Sequence, residues 1–92
     1  LRVNFYATLR DVVGKKTVEL QLPDSLTVGQ LVAEVVTQFP ELRDKLYQEE
    51  NILYGHVHVF VNGRDARFLP ETYDTVISEN DKIDIFPAVG GG

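Results

Sequence analysis

The chain closes on Pro87-Ala88-Val89-Gly90-Gly91-Gly92, and this end holds the residues best suited to chemistry. A carboxylate on a terminal glycine has no side chain beside it, and an arm of glycines is slender enough to enter a narrow channel. Fully extended, residues 87–92 reach roughly 20 Å. An ATP-using partner could join the Gly92 carboxylate to AMP, giving a mixed anhydride open to nucleophiles. A sulfur donor would convert that anhydride to a thiocarboxylate, and a lysine amine would convert it to an isopeptide. Any Cβ near the terminus would crowd both the channel and the attack, whereas Pro87 stiffens the root of the arm through its fixed φ. The competing explanation is a frayed terminus or a glycine scar, since glycine costs the most backbone entropy to order.

Elsewhere the chain is poor in reactive groups. It has no cysteine, which removes disulfides, thiolate zinc sites, cysteine nucleophiles and persulfide carriage. His56 and His58 share a strand face, but no third ligand is spaced to help them, so no metal is expected. Ser25 and Ser78 have no His/Asp pattern around them that would make a nucleophile. The three closing glycines precede no helix and so cannot form a phosphate-cradling loop.

The elements that must present the tail can be read from periodicity. Leu1, Val3, Phe5, Ala7 and Leu9 alternate with Arg2, Asn4, Tyr6 and Thr8, which predicts a strand over residues 1–9, followed by a loop through Arg10 to Lys16. Val18, Leu20 and Leu22 alternate with Thr17, Glu19 and Gln21, giving a second strand and, with the first, a hairpin that Pro23 and Asp24 end. Thr27 and Gln30 have the spacing of a capping box at the start of a helix, along which Leu31, Val32, Val35, Val36 and Phe39 form one apolar stripe. Pro40 stops that helix and can start a short second one, in which Leu42 and Leu46 would pack.

Residues 48–55 read as a polar loop. Val57, Val59 and Val61 predict a third strand running into Asn62-Gly63, the strongest short-range hairpin signal, with a return strand around Arg67 to Leu69. Residues 70–81 are turn-rich, and a last strand spans Lys82 to Phe86 with Ile83 and Ile85 inward. A hairpin, a crossover helix and a later strand returning beside the first make an α+β, β-grasp arrangement. It is a mixed sheet of about five strands packed on one main helix plus a short second helix. The expected division is a β-grasp domain over residues 1–87 and a flexible glycine tail over 88–92.

Composition narrows the partners. The 92 residues, 43% of them hydrophobic and 25% charged, are ordinary for one globular domain. A formal charge of −5 repels phosphate backbones, so no nucleic-acid partner is expected. No apolar run approaches the ~20 residues that span a bilayer and no signal pattern opens the chain, so no membrane partner is expected and a cytoplasmic location is. Because the chain opens on Leu1, trimming of an initiator or short leader is expected.

The whole chain resembles the small subunit of molybdopterin synthase, the MoaD family, related to the thiamine sulfur carrier and to ubiquitin. Phe5-Tyr6-Ala7-Thr8-Leu9-Arg10-Asp11-Val12-Val13-Gly14 is similar to that family's first strand and loop. Thr27-Val28-Gly29-Gln30-Leu31 resembles its helix start, and Val59-Phe60-Val61-Asn62-Gly63 its third strand and turn. The specific match is Asp81-Lys82-Ile83-Asp84-Ile85-Phe86-Pro87 leading to Gly91-Gly92. Two positions depart from the pattern: Ala88 stands where a second proline is usual, and Gly90 where Ala, Ser or Thr often stands. Both loosen the arm, and a protein modifier would tolerate them equally well.

The resemblance implies a sulfur carrier of the MoaD/ThiS group. Gly92 would be adenylated by an E1-like enzyme at the expense of ATP, then thiocarboxylated, and would enter the large subunit of molybdopterin synthase to deliver sulfur in molybdenum or tungsten cofactor synthesis. The catalytic side chains would belong to the partners, and the carrier would bind no cofactor. One rival is a ubiquitin-like modifier joined through Gly92 to lysines of target proteins. A second rival is an interaction module whose tail is irrelevant.

Tyr6, Phe60 and Phe86 are all out of phase with the core positions of their strands. If those strands are neighbours, the three rings form one patch on the uncovered face of the sheet near the root of the tail, a candidate docking surface. The alternative is that residues 40–55 fold over them. Phe68 has no readable phase. Arg10 matches an arginine of the family's first loop, to steady the tail or pair with a partner's carboxylate; the alternative is a solvated loop charge. Acidic residues such as Glu41, Glu49, Glu71 and Asp84 either steer the carrier toward a basic partner or are solvated surface.

Overall fold

Alternation holds in the first strand only as far as Phe5. In a computed structural model, which describes residues 1–22 and 25–87, β1 (Arg2–Phe5) buries Val3 and Phe5 and turns Arg2 and Asn4 to the other side. Residues Ala7–Val13 then coil into helix α1, with Tyr6 as an extended N-cap and Gly14, at φ 90°, as a left-handed C-cap. Ala7 to Leu9 of the expected strand and Arg10 to Val13 of the expected loop are therefore helix. Leu9 is buried all the same. Four residues after Phe5, it satisfies a helical period and a strand period equally, so alternation alone could not separate them.

Strand β2 (Thr17–Glu19) pairs antiparallel with β1 and is shorter than expected, although Leu20 beyond its end is buried. The strand end assigned to Pro23 and Asp24 lies outside the described residues. Helix α2 (Val28–Gln38) starts at the predicted capping box. The Gln30 amide N–H donates to Thr27 Oγ1 at 3.1 Å, and the Thr27 amide N–H donates to Gln30 Oε1 at 2.9 Å. Leu31, Val32, Val35 and Val36 are buried along its stripe. Pro40 opens a 3-10 turn (Pro40–Leu42) that runs into α3 (Arg43–Leu46), and both Leu42 and Leu46 are fully buried.

The expected loop over 48–55 contains a small antiparallel hairpin, β3 (Tyr47–Glu49) with β4 (Ile52–Leu53), turning through Asn51 at φ 62°. It is too short for an alternation to show. Strand β5 (His58–Val61) buries Val59 and Val61 and turns at Asn62 and Gly63, with φ of 51° and 86°, the double positive φ that an Asn-Gly hairpin uses. The return strand β6 is Arg64–Asp65, directly after the turn, and Ala66–Phe68, where that strand was expected, is a 3-10 turn. Another 3-10 turn occupies Thr72–Asp74.

The last strand, β7 (Lys82–Phe86), has the predicted limits. It lies at the centre of a five-stranded mixed sheet of order β2-β1-β7-β5-β6, parallel to β1 and antiparallel to β5. Val3, Phe5, Val18, Val59, Val61, Ile83 and Ile85 of the sheet join the α2 stripe in one core. Burying each such side chain contributes about 1.5–3 kcal/mol, so this shared face fixes which side of every strand looks away from α2.

Candidate functional site

Register builds the site on the side of the sheet away from that core. Asn4 lies beside Asp84, Asp84 beside Phe60 and Phe60 beside Asp65, while His58 lies beside Phe86. Tyr6, still extended at φ −125° and ψ 153°, carries its ring to the same face. The Tyr6 and Phe86 rings stack with centroids 4.2 Å apart and planes 12° from parallel. Phe60 meets Phe86 edge-on at 5.3 Å, and His58 meets Phe60 at 6.3 Å. With Phe86 covering one side of the Tyr6 ring, the Lys16 ammonium takes the other, 5.2 Å from the centroid. All three sequence-predicted aromatics are thus one half-buried cluster, and residues 40–55 do not cover them completely.

The cluster ends at Pro87, which is itself buried. Val89, Gly90, Gly91 and Gly92 lie outside the described residues. Arg10 stands on α1 rather than in a loop; it is exposed and takes no part in the salt bridges among the described residues. Phe68 is 78% exposed on its 3-10 turn and joins none of the ring pairs found among the described residues. His56 stacks on Tyr54 at 4.9 Å, and no cluster of three ligating side chains occurs among the described residues.

Asp84, read as a steering or solvated acid, and Asp65, which the sequence reading did not single out, are both buried on this face. Asp84 is only 6% exposed, and its Oδ1 accepts from the Tyr6 hydroxyl at 2.8 Å and from Asn4 Nδ2 at 2.9 Å. Lys82 Nζ is 3.8 Å from its other oxygen. The hydrogen bond to Asp84, then burial, then the carboxylate's charge raise the Tyr6 pKa. Asp65 is 9% exposed; it accepts from the Arg67 amide at 2.9 Å and lies 2.7 Å from His58 Nδ1, which the Arg67 guanidinium also contacts. Burial pushes the Asp65 pKa up, but the hydrogen bonds from Arg67 and His58 and the Arg67 charge outweigh it and leave it lowered. Alternation did place Asp84 opposite Ile83 and Ile85. It could not show that aromatic neighbours would bury a residue on the uncovered side.

No arrangement of these groups resembles an acid, base and nucleophile around a cleft. What the geometry offers is a cation-flanked aromatic surface where the central strand runs out, which suits docking. Fold and surface together define a ubiquitin-like β-grasp protein. The chain belongs to the ThiS family, whose model matches residues 3–92. It is 32% identical over 92 residues to small archaeal modifier protein 3 of Haloferax volcanii, covering 100% of this chain and 98% of that protein. A sulfur carrier assignment accompanies a protein of Archaeoglobus fulgidus, 32% identical over 69 residues, 75% of this chain and 77% of that one.

Among solved structures, small archaeal modifier protein 1 of H. volcanii superposes with a TM-score of 0.84 at 26% identity, covering 96% of this chain and 95% of that one. A chain of the BexX/CysO complex of Amycolatopsis orientalis does so at 0.78 and 29%, covering 99% and 98%. The chain is therefore one of a ubiquitin-like group that includes small modifiers and sulfur carriers. The resemblance to molybdopterin synthase small subunits is met at the level of this wider family.

Proposed function

We propose that the chain is a sulfur carrier working through the carboxylate of Gly92. An E1-like enzyme adenylates that carboxylate with ATP, releasing pyrophosphate, and a sulfide equivalent then displaces AMP to leave a thiocarboxylate. The large subunit of molybdopterin synthase is the recipient: the arm from Pro87 through Val89, Gly90 and Gly91 carries the sulfur into its active site for a pterin precursor. ATP belongs to the activating partner, the carrier supplies no catalytic side chain, and the exchange takes place in the cytoplasm.

One observation carries the reading. The central strand ends inside the Tyr6–Phe60–Phe86 cluster, so a partner gripping those rings is handed the five residues that follow Pro87. Arg10, exposed on α1, is assigned in this reading to a partner carboxylate. Incubation with an E1-like enzyme, ATP and sulfide is expected to add about 16 Da at Gly92, one oxygen exchanged for sulfur. No gain in the presence of an enzyme shown to be competent on another carrier contradicts the proposal.

A second reading, conjugation of Gly92 to target lysines, is supported by the full-length similarity to small archaeal modifier protein 3. The two share the adenylate and differ in the nucleophile that opens it. Denaturing pull-down separates them: covalent ladders on other proteins favour the modifier, and free protein that supports pterin conversion favours the carrier.

A further inference from the structure

We propose that Asp84 is a positioning residue, which holds the Tyr6 ring flat on Phe86 and thereby fixes the direction in which the chain leaves the sheet at Pro87. The inference rests on the reading of the tail as the working end. A carboxylate that is 6% exposed, on the side of the sheet away from the core, is an expensive choice unless hydrogen bonds replace its water. Asp84 receives two, and both come from β1 and its extension: Asn4 Nδ2 at 2.9 Å and the Tyr6 hydroxyl at 2.8 Å. Thr17 Oγ1 in turn donates to Asn4 Oδ1 at 2.7 Å, which orients the amide toward Asp84.

The consequence falls on Tyr6. This residue is the hinge between β1 and α1, and its own strand ladder has ended. A ring there is free to rotate unless something holds its far end. The bond to Asp84 supplies that hold, two residues before Phe86 on the same face of the same strand, and the ring is pinned parallel to Phe86 at 4.2 Å. Lys16 closes the other side of the ring. Phe86 is packed between Tyr6 and Phe60, so the direction of the Phe86–Pro87 step is set by a carboxylate that a partner need never touch. Misplacing a reacting end by an ångström slows chemistry without weakening docking, which gives the proposal its signature.

The test compares Asp84→Leu and Asp84→Asn with the wild type in adenylation by an E1-like enzyme, read as pyrophosphate exchange. Leucine fills the site but accepts nothing, whereas asparagine keeps an oxygen for the Tyr6 hydroxyl. The expected result for Asp84→Leu is a fall of about tenfold in kcat with KM within about twofold, and Asp84→Asn recovers most of that loss. Unchanged kcat in Asp84→Leu, or a loss confined to KM, overturns the proposal. A thermal melt accompanies each variant; removing a buried charge can leave stability equal or higher, so a kcat loss without a lower Tm separates positioning from mere support. If the wild type itself is not adenylated, the reading of the tail fails, and NMR then judges the clamp alone. Phe86 ring and Pro87 signals that shift or broaden in Asp84→Leu support it, and signals that stay in place overturn it.

Discussion

Phe60 is the residue whose removal best separates surface from fold. Its ring packs edge-on against Phe86 on the side away from the α2 stripe, while its neighbours Val59 and Val61 hold the core. Phe60→Ala is therefore expected to fold and to lose binding to an activating enzyme by about tenfold or more, as truncating an aromatic anchor does; calorimetric titration measures it. Asp65 makes a different prediction. Its folded pKa lies below the ordinary 3.8, so its contribution to stability is complete above that value and disappears as pH falls through the lower folded one. Acid titration followed by circular dichroism should show Asp65→Asn less stable than wild type at pH 7, with the difference closing below pH about 4. Tyr6, Phe60 and Phe86 were legible because phase alone puts them on one face. Asp84 and Asp65 were not, because alternation reports which side a residue takes and says nothing of what lies over it.

Elements with strong local punctuation match their reading. Thr27 and Gln30 announce the start of α2, Pro40 its end, and Asn62-Gly63 the β5–β6 turn, each through a geometry that the residue type requires nearby. Thr27→Ala breaks the capping box; it should cost about 1 kcal/mol and lower Tm by about 4–8 °C in a domain this size, measured by a thermal melt. Elements too short to repeat their period were misread. The β3–β4 hairpin offers three residues and two, and β6 only two, so neither can display an alternation. Helix α1 failed for another reason. Its single fully buried residue, Leu9, continues the strand phase of Phe5 at a helical spacing, and Tyr6 as N-cap contributes no side-chain hydrogen bond that would mark a start.

For the whole molecule, the division of labour is spatial. One face of the sheet closes on α2 and supplies stability, and the other carries aromatic rings to the point where the central strand ends. On the reading that the final glycines serve chemistry rather than packing, a chain shortened by Gly91 and Gly92 should keep its Tm within about 1 °C and still compete for the activating enzyme, yet, with its arm two residues short, accept no AMP. The fold was readable because β1, β2, β5 and β7 share one core and their phases must agree. The choice of nucleophile was not, because in the proposed function it is made by partners. The central claim is that a bare glycine carboxylate is the working group, and intact-mass spectrometry of the protein isolated from its native cells tests it most directly. The account predicts a species ending at Gly92, part of it about 16 Da heavier or joined through that glycine to another protein. A chain that continues past Gly92 with no trimmed form, or one whose terminal carboxylate stays unmodified while the activating enzyme and a sulfur source are present, would contradict it.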